Sequence, residues 1–295
     1  MLEVRVLAEG LGSPEGPDFL PDGRAIFVET FLRRVSAWDP ETGVREYADV
    51  GGAPTACVRG RDGVYVAQNG LTAGPWRSPR PCPPSIQRIA DDGTVEVVAD
   101  AASGVPLIGP NDLAFGPDGS LYFTDPGTFD TTSPEDGRVC RLAPDAACTT
   151  LEDVGHAYPN GIVVEPDGAI VWAESFSRHI RRRAPGGDVE TLATLPEDRI
   201  PDGMKLADDG NLFVAGVTSG GIDVVAPDGT LVDFVATGGV PLNCVFRGSD
   251  LYIADFGDAD PEADEGAAVM SGRLTCIDVG AEGRGLYRGA IASPR

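Results

Sequence analysis

Ser13-Pro14-Glu15-Gly16-Pro17-Asp18-Phe19, followed by the turn Pro21-Asp22-Gly23, decides the fold, because its pattern returns five more times. In every copy an oxygen-bearing residue stands seven positions before an Asp in a turn: Glu15 and Asp22, Thr55 and Asp62, Asn111 and Asp118, Asn160 and Asp167, Asp202 and Asp209, Asn243 and Asp250. A short apolar run fills each interval. A second run, rich in Val, Ile, Tyr, Phe or Trp, follows each Asp. The first positions recur about every 40 to 56 residues, a spacing that fits one propeller blade of several short strands. The expected fold is all-β: a six-bladed β-propeller with four-stranded antiparallel blades, one domain over residues 1–295. The sixth repeat lacks a fourth strand after Arg273–Asp278. Glu3–Ala8 is patterned like the other outer strands and is expected to complete that blade and close the ring. Gly285–Gly289 is the other segment able to fill the place.

Composition excludes several function classes. The net charge of −23 argues against nucleic acid or an anionic membrane as partner. No apolar run is long enough to span a bilayer, and the N-terminus Met1-Leu2-Glu3-Val4-Arg5 has no signal-peptide pattern, so a cytoplasmic location is expected. The six cysteines form no C-x-x-C and no Cys/His cluster, which argues against a zinc–thiolate site. Cys140 and Cys148 flank a predicted hairpin turn, and free buried thiols are expected there. Lys205 is the only lysine among 23 basic residues.

In an up-and-down blade the start of the innermost strand and the end of the second share one face. The long insertions 69–85, 100–110, 125–137 and 255–272 all fall on that face, while the turns on the other stay short. One elaborated face on a plain scaffold is how a propeller carries a site. The first positions, Glu15, Thr55, Asn111, Asn160, Asp202 and Asn243, are expected to ring the channel at that end. All carry a side-chain oxygen, and none is His or Cys. Two carboxylates with neutral amides suit one hard divalent cation, calcium first, with magnesium, manganese or zinc as alternatives. Glu15, Asn111, Asn160 and Asp202 are the expected ligands.

A competing reading treats Pro159-Asn160-Gly161 and Pro201-Asp202-Gly203 as ordinary turns. Register argues otherwise for Asp202, whose repeat has a separate turn at Asp208-Asp209-Gly210. His156 and His179 are expected to be structural, and Arg178 with Arg181–Arg183 to form a solvated outer face. The acidic stretch Asp258–Glu265 lacks EF-hand spacing and reads as a solvated lid rather than a second ion site.

Four ordered segments carry a family resemblance: Ser13–Pro17, Gly109–Pro126, Tyr158–Ile162 and Pro201–Ala215. Together they resemble the gluconolactonase and regucalcin (senescence-marker protein) family, and within it the bacterial gluconolactonase-like branch. The resemblance implies a six-bladed propeller with one divalent cation. In it Glu15, Asn160 and Asp202 match the ligating residues, Asp202 also matches the catalytic one, and Asn111 matches the residue that contacts substrate or water. Fluorophosphate-hydrolysing relatives use a similar Glu-Asn-Asn-Asp set around calcium. Sugar-lactonase members of the regucalcin type carry Arg two positions before the residue matching Asn111, and here that position is Gly109. Weak activity on unsubstituted aldonolactones is therefore expected.

The expected function is metal-dependent opening of a lactone, with Asp202 as ligand and general base and a small molecule as partner. Other metal-assisted hydrolysis of phosphoesters or fluorophosphates, a biosynthetic ring-opening step, and a non-enzymatic binding propeller are the alternatives. The sequence does not fix the oligomeric state.

Overall fold

A computed structural model describes residues 2–257 and 267–293. Six four-stranded antiparallel sheets are arranged as a six-bladed β-propeller. The first blade holds Pro14–Phe19, Ala25–Glu29, Arg34–Asp39 and Gly43–Asp49, and the second Pro54–Arg59, Val64–Gln68, Ser85–Ile89 and Val95–Ala99. The third holds Leu113–Phe115, Leu121–Asp125, Gly137–Leu142 and Cys148–Gly155. The fourth holds Pro159–Val164, Ile170–Glu174, His179–Arg183 and Val189–Thr194. The fifth holds Pro201–Leu206, Leu212–Gly216, Gly221–Val225 and Leu231–Ala236. In the sixth, Pro241–Arg247, Asp250–Asp255 and Gly272–Asp278 are joined by Arg5–Leu11 as the outer strand. That N-terminal strand runs a few residues beyond the expected Glu3–Ala8, with register shifts at Val6/Ala8 and Glu9/Leu11. Its pairing with Gly272–Asp278 ties the two ends of the repeat together.

The second strand of each sheet is buried on both faces, because each blade packs between two others, while the outer strands are largely exposed. Apolar clusters mark the interfaces: Val28 and Val35 meet Val64 and Val66 between the first two blades, and Tyr65 and Ile86 meet Phe115 and Phe123 between the next two. Phe19 and Trp38 pack on Tyr252 where the ring closes. Such burial contributes about 1.5–3 kcal/mol per large side chain.

Gly285–Gly289 forms no strand. After an isolated bridge between Gly283 and Ala207, the C-terminal segment crosses the plain face. Arg284 N–H donates to Leu206 O (3.0 Å), Ile291 N–H to the Tyr65 hydroxyl (2.8 Å) and Ala292 N–H to Pro144 O (2.9 Å). Arg288 pairs with the buried Asp18 and donates to Arg59 O (2.7 Å). The strap thus spans five blades. The insertions on the opposite face carry two short hairpins, Thr72–Ala73 with Trp76–Arg77 and Ala101–Ala102 with Val105–Pro106. All six cysteines are free thiols. No helix among the described residues is long and apolar enough to cross a membrane. The acidic stretch 258–265 lies outside the described residues.

Candidate active site at the channel mouth

Pro159-Asn160-Gly161 and Pro201-Asp202-Gly203 begin innermost strands and are not turns. Their glycines answer to crowding at the axis, where neighbouring inner strands nearly touch. A Cβ on Gly161 would lie 2.3 Å from Asp202 O, one on Gly203 2.1 Å from Asn243 Cγ, and one on Gly16 2.3 Å from Ala56 Cα. Register irregularities sit at the same places, between Glu15 and Asp18, Pro159 and Ile162, and Pro201 and Met204. Bulges of this kind re-aim a side chain at a sheet end.

A belt of hydroxyl bonds holds these strand starts in place. Thr30 donates to Pro54 O (2.7 Å), Thr55 to Pro110 O (2.9 Å), Thr124 to Asn160 O (2.8 Å) and Ser175 to Pro201 O (2.8 Å), each reaching from one blade to the next. Ser175 does more. Its one hydrogen is committed to Pro201 O, so its oxygen accepts from Asn160 Nδ2 (3.1 Å). The amide is thereby oriented, and Asn160 Oδ1 is left buried with no hydrogen-bond partner. An orphaned buried acceptor in a native site points to a missing ion or water.

Glu15 and Asp202 lie beside it. Burial, and for Glu15 the Asp202 and Asp112 charges, push the Glu15 carboxyl well above the usual carboxylate range. Burial, followed by the Asp112 charge, does the same to Asp202, opposed by the Gly203 N–H and the Asn160 amide. Glu15 Oε1 accepts a local bond from Gly16 N–H (2.9 Å), and the Asn243 side chain also hydrogen-bonds the Glu15 carboxyl. The chemistry of this set fits a cation: two carboxylates that burial penalises when charged, and one amide oxygen without a donor. No group of three His, Cys, Asp or Glu side chains forms a metal cluster among the described residues. A donor set at this place would have to mix carboxylates with amides.

Asn111 is half-buried at the rim. Its Nδ2 donates to the Tyr158 hydroxyl (3.3 Å), so the phenolic hydrogen is available to a bound molecule. Burial pushes the Tyr158 phenol up, so it stays protonated. Tyr158 holds a left-handed φ of 54°, as does Ser13 (55°) at the equivalent place before Glu15. A bulky residue there is strained, and such strain concentrates at functional sites.

Two of the six ring positions serve the scaffold. The Thr55 hydroxyl belongs to the belt. Asn243 turns down the channel: its Oδ1 accepts from Lys205 Nζ (3.2 Å) and its Nδ2 donates to Asp112 (3.3 Å). Both histidines have other partners, His156 on Asp136 (3.1 Å) and His179 near Glu174 (3.7 Å). The expected solvated arginine face is half-true, since Arg181, Arg182 and Arg183 are partly exposed yet each reaches a carboxylate. Below the mouth a small cavity of about 40 Å³, lined by Asp18, Asp112, Lys205 and Leu286 among others, separates the ring from the C-terminal strap. Ser175, Tyr158, Asp112 and Lys205 were not expected at the channel.

Residues 13–255 match the family described as SMP-30/Gluconolactonase/LRE-like region. A gluconolactonase of Zymomonas mobilis is 28% identical, covering 85% of this chain and 78% of that protein. Strictosidine synthase-like protein 13 of Arabidopsis thaliana is 27% identical over 65% of this chain and 51% of its own length. Among solved structures, a gluconolactonase of Xanthomonas campestris superposes with a TM-score of 0.75 at 23% identity, covering 94% of this chain and 89% of that one. A calcium-binding regucalcin of Agrobacterium tumefaciens gives 0.76 at 18%, covering 99% and 98%. At those identities the superpositions carry the fold alone.

Proposed function

The chain belongs to the SMP-30/gluconolactonase/LRE-like family, and from that premise we propose that it is a metal-dependent hydrolase that opens a lactone ring. The observation that carries the metal part is the orphaned Asn160 Oδ1, pinned by Ser175 next to the buried carboxylates of Glu15 and Asp202. The gluconolactonase relative supports the lactone as substrate.

Glu15, Asn160 and Asp202 would hold the ion, with Asn111 completing the set or contacting substrate or water. A divalent cation, calcium first, supplies Lewis-acid polarisation of the ester carbonyl and keeps both carboxylates ionised. Asp202 removes a proton from the attacking water as the water oxygen bonds to the carbonyl carbon. The ring C–O bond then breaks, and the proton passes to the leaving alkoxide, so one water is added in total. Asn111 and the protonated Tyr158 hydroxyl orient the ester at the rim.

Gly109 sets one limit on the substrate. A Cβ there would lie 2.5 Å from Asn69 Nδ2 and 3.0 Å from Gly127, so backbone packing closes the position to any side chain. No arginine can reach sugar hydroxyls from it. The test is a panel of lactones and organophosphates assayed with calcium, magnesium or manganese and again in chelator. Metal-dependent opening of lactones, with gluconolactone a poor substrate, is expected. Hydrolysis of phosphoesters but no lactone, or activity indifferent to chelator, would contradict the proposal.

A further inference from the structure

The rim beside Asn111 is aromatic on one side. Tyr158 stands edge-on to Phe129, with ring centroids 4.9 Å apart at 83°, and lies 5.2 Å from Phe176 at 34°. Phe129 and Phe176 close the triangle at 5.1 Å. The three come from separate segments: Phe129 from the insertion at 125–137, Tyr158 from the residue before Pro159-Asn160, Phe176 from the turn after Ile170–Glu174. Phe129 remains 36% exposed, among the few large apolar side chains on the surface. The cluster is continuous with the site, because the Tyr158 hydroxyl accepts from Asn111 and feels the Asp202 and Glu15 charges.

Charge around the mouth favours a neutral occupant. Two arginines near it are engaged, Arg138 with Asp125 and Arg273 with Asp255. The insertion that carries Phe129 also carries Asp130, Glu135 and Asp136 and no basic residue. An anionic substituent would meet the acidic side chains of that insertion. A polyhydroxylated one would face ring edges in place of hydrogen-bond partners.

We propose that Phe129, Tyr158 and Phe176 form a specificity wall that receives an uncharged aromatic or branched apolar substituent on the substrate ring. The ring itself is held at Asn111 and Asp202. The identity of the scissile ring rests on the lactonase reading, whereas the wall rests on the geometry just described. Ring-on-ring contacts in such a cluster favour an aryl group over hydrogen by roughly tenfold in affinity.

The experiment separates the two. Non-hydrolysable γ-lactams, one phenyl-substituted and one unsubstituted, are titrated calorimetrically into the calcium-loaded protein and into its Phe129→Ala and Phe176→Leu variants, while the matching lactones are assayed for hydrolysis. The phenyl lactam is expected to bind about tenfold more tightly, and each variant to cut that ratio about fivefold. Phe129 is the partly exposed member, so its removal spares the core, and Phe176→Leu keeps apolar bulk while removing the ring. Equal binding of the two lactams by the parent protein, or an unchanged ratio in both folded variants, would overturn the wall. Aryl preference without hydrolysis of any lactone would keep the wall and remove the proposed reaction.

Discussion

Two sets of buried carboxylates stand at strand ends on the elaborated face, and their partners differ. At the ends of second strands, Glu29, Asp125, Glu174 and Asp255 are almost fully buried. Each meets a cation from the adjoining third strand: Arg34 (3.1 Å), Arg138, Arg181 (3.7 Å) and Arg273 (3.2 Å). Asp255 also accepts from Val240 and Gly257 N–H, and Asp125 from Ile108 and Gly109 N–H. These groups tie the loops of the elaborated face to the blades. At the starts of first strands, Glu15 and Asp202 are nearly as buried, yet no ion pair reaches them among the described residues. Even within the channel the contrast holds. Asp112, one residue past the rim, feels the Lys205 charge and is linked to it through Asn243. Where the chain supplies its own cation the carboxylate is architecture. Where it supplies none, the carboxylate is the proposed ligand of an ion from outside.

The largest effect that separates the sets is on turnover. Asp202→Asn keeps an oxygen for the ion but offers no base at neutral pH, so turnover at saturating calcium should fall on the order of 10³-fold. Steady-state rates with metal occupancy checked by calorimetry test this. Full activity would remove Asp202 from the chemistry. Asp125→Asn should leave the chemical step in place.

Stability should respond in the opposite sense. Arg138→Met strands a buried charge on Asp125 and should cost about 3–5 kcal/mol, with no rescue by calcium. Asp202→Asn in chelator should stabilise, because it removes a charge that burial penalises. Burial raises the Asp202 carboxyl, so that penalty is absent in acid, where the group is protonated in both folded and unfolded chains. It grows as pH rises through the raised value. The melting-temperature advantage of Asp202→Asn in chelator should therefore widen from about pH 4 to about pH 8. An advantage independent of pH, or Asp202→Asn melting below the parent, would break the distinction between the two sets.

The blades were legible because each is local. The seven-residue offset from Glu15 to Asp22 reports one inner strand and its turn, and it repeats often enough to fix register. Register placed Asn160 and Asp202 at the mouth despite their turn-like tripeptides. The rest depends on contacts between blades, which no local pattern carries. Ser175 orients Asn160 only because Pro201 O lies in the next blade. Thr55 and Asn243 share the ring's spacing and oxygen content, yet Pro110 and Lys205, from neighbouring blades, draw them to other tasks. Tyr158 precedes Pro159 as an unremarkable aromatic in the sequence, and its left-handed backbone shows only in the fold. The strap at 283–292 carries no strand pattern, since its bonds go to five different blades.

The central claim is that the unpaired carboxylates of Glu15 and Asp202, with Asn160, hold one divalent cation. Calorimetric titration of calcium into the metal-free protein and into Glu15→Gln tests it most directly, because Glu15 has no proton-transfer role and its loss changes only the charge offered to the ion. One site per chain is expected, with affinity lowered at least about tenfold in Glu15→Gln, the loss of one charge-assisted contact. Absence of binding by the parent to calcium, magnesium and manganese alike, or an unchanged affinity in Glu15→Gln, would contradict the account.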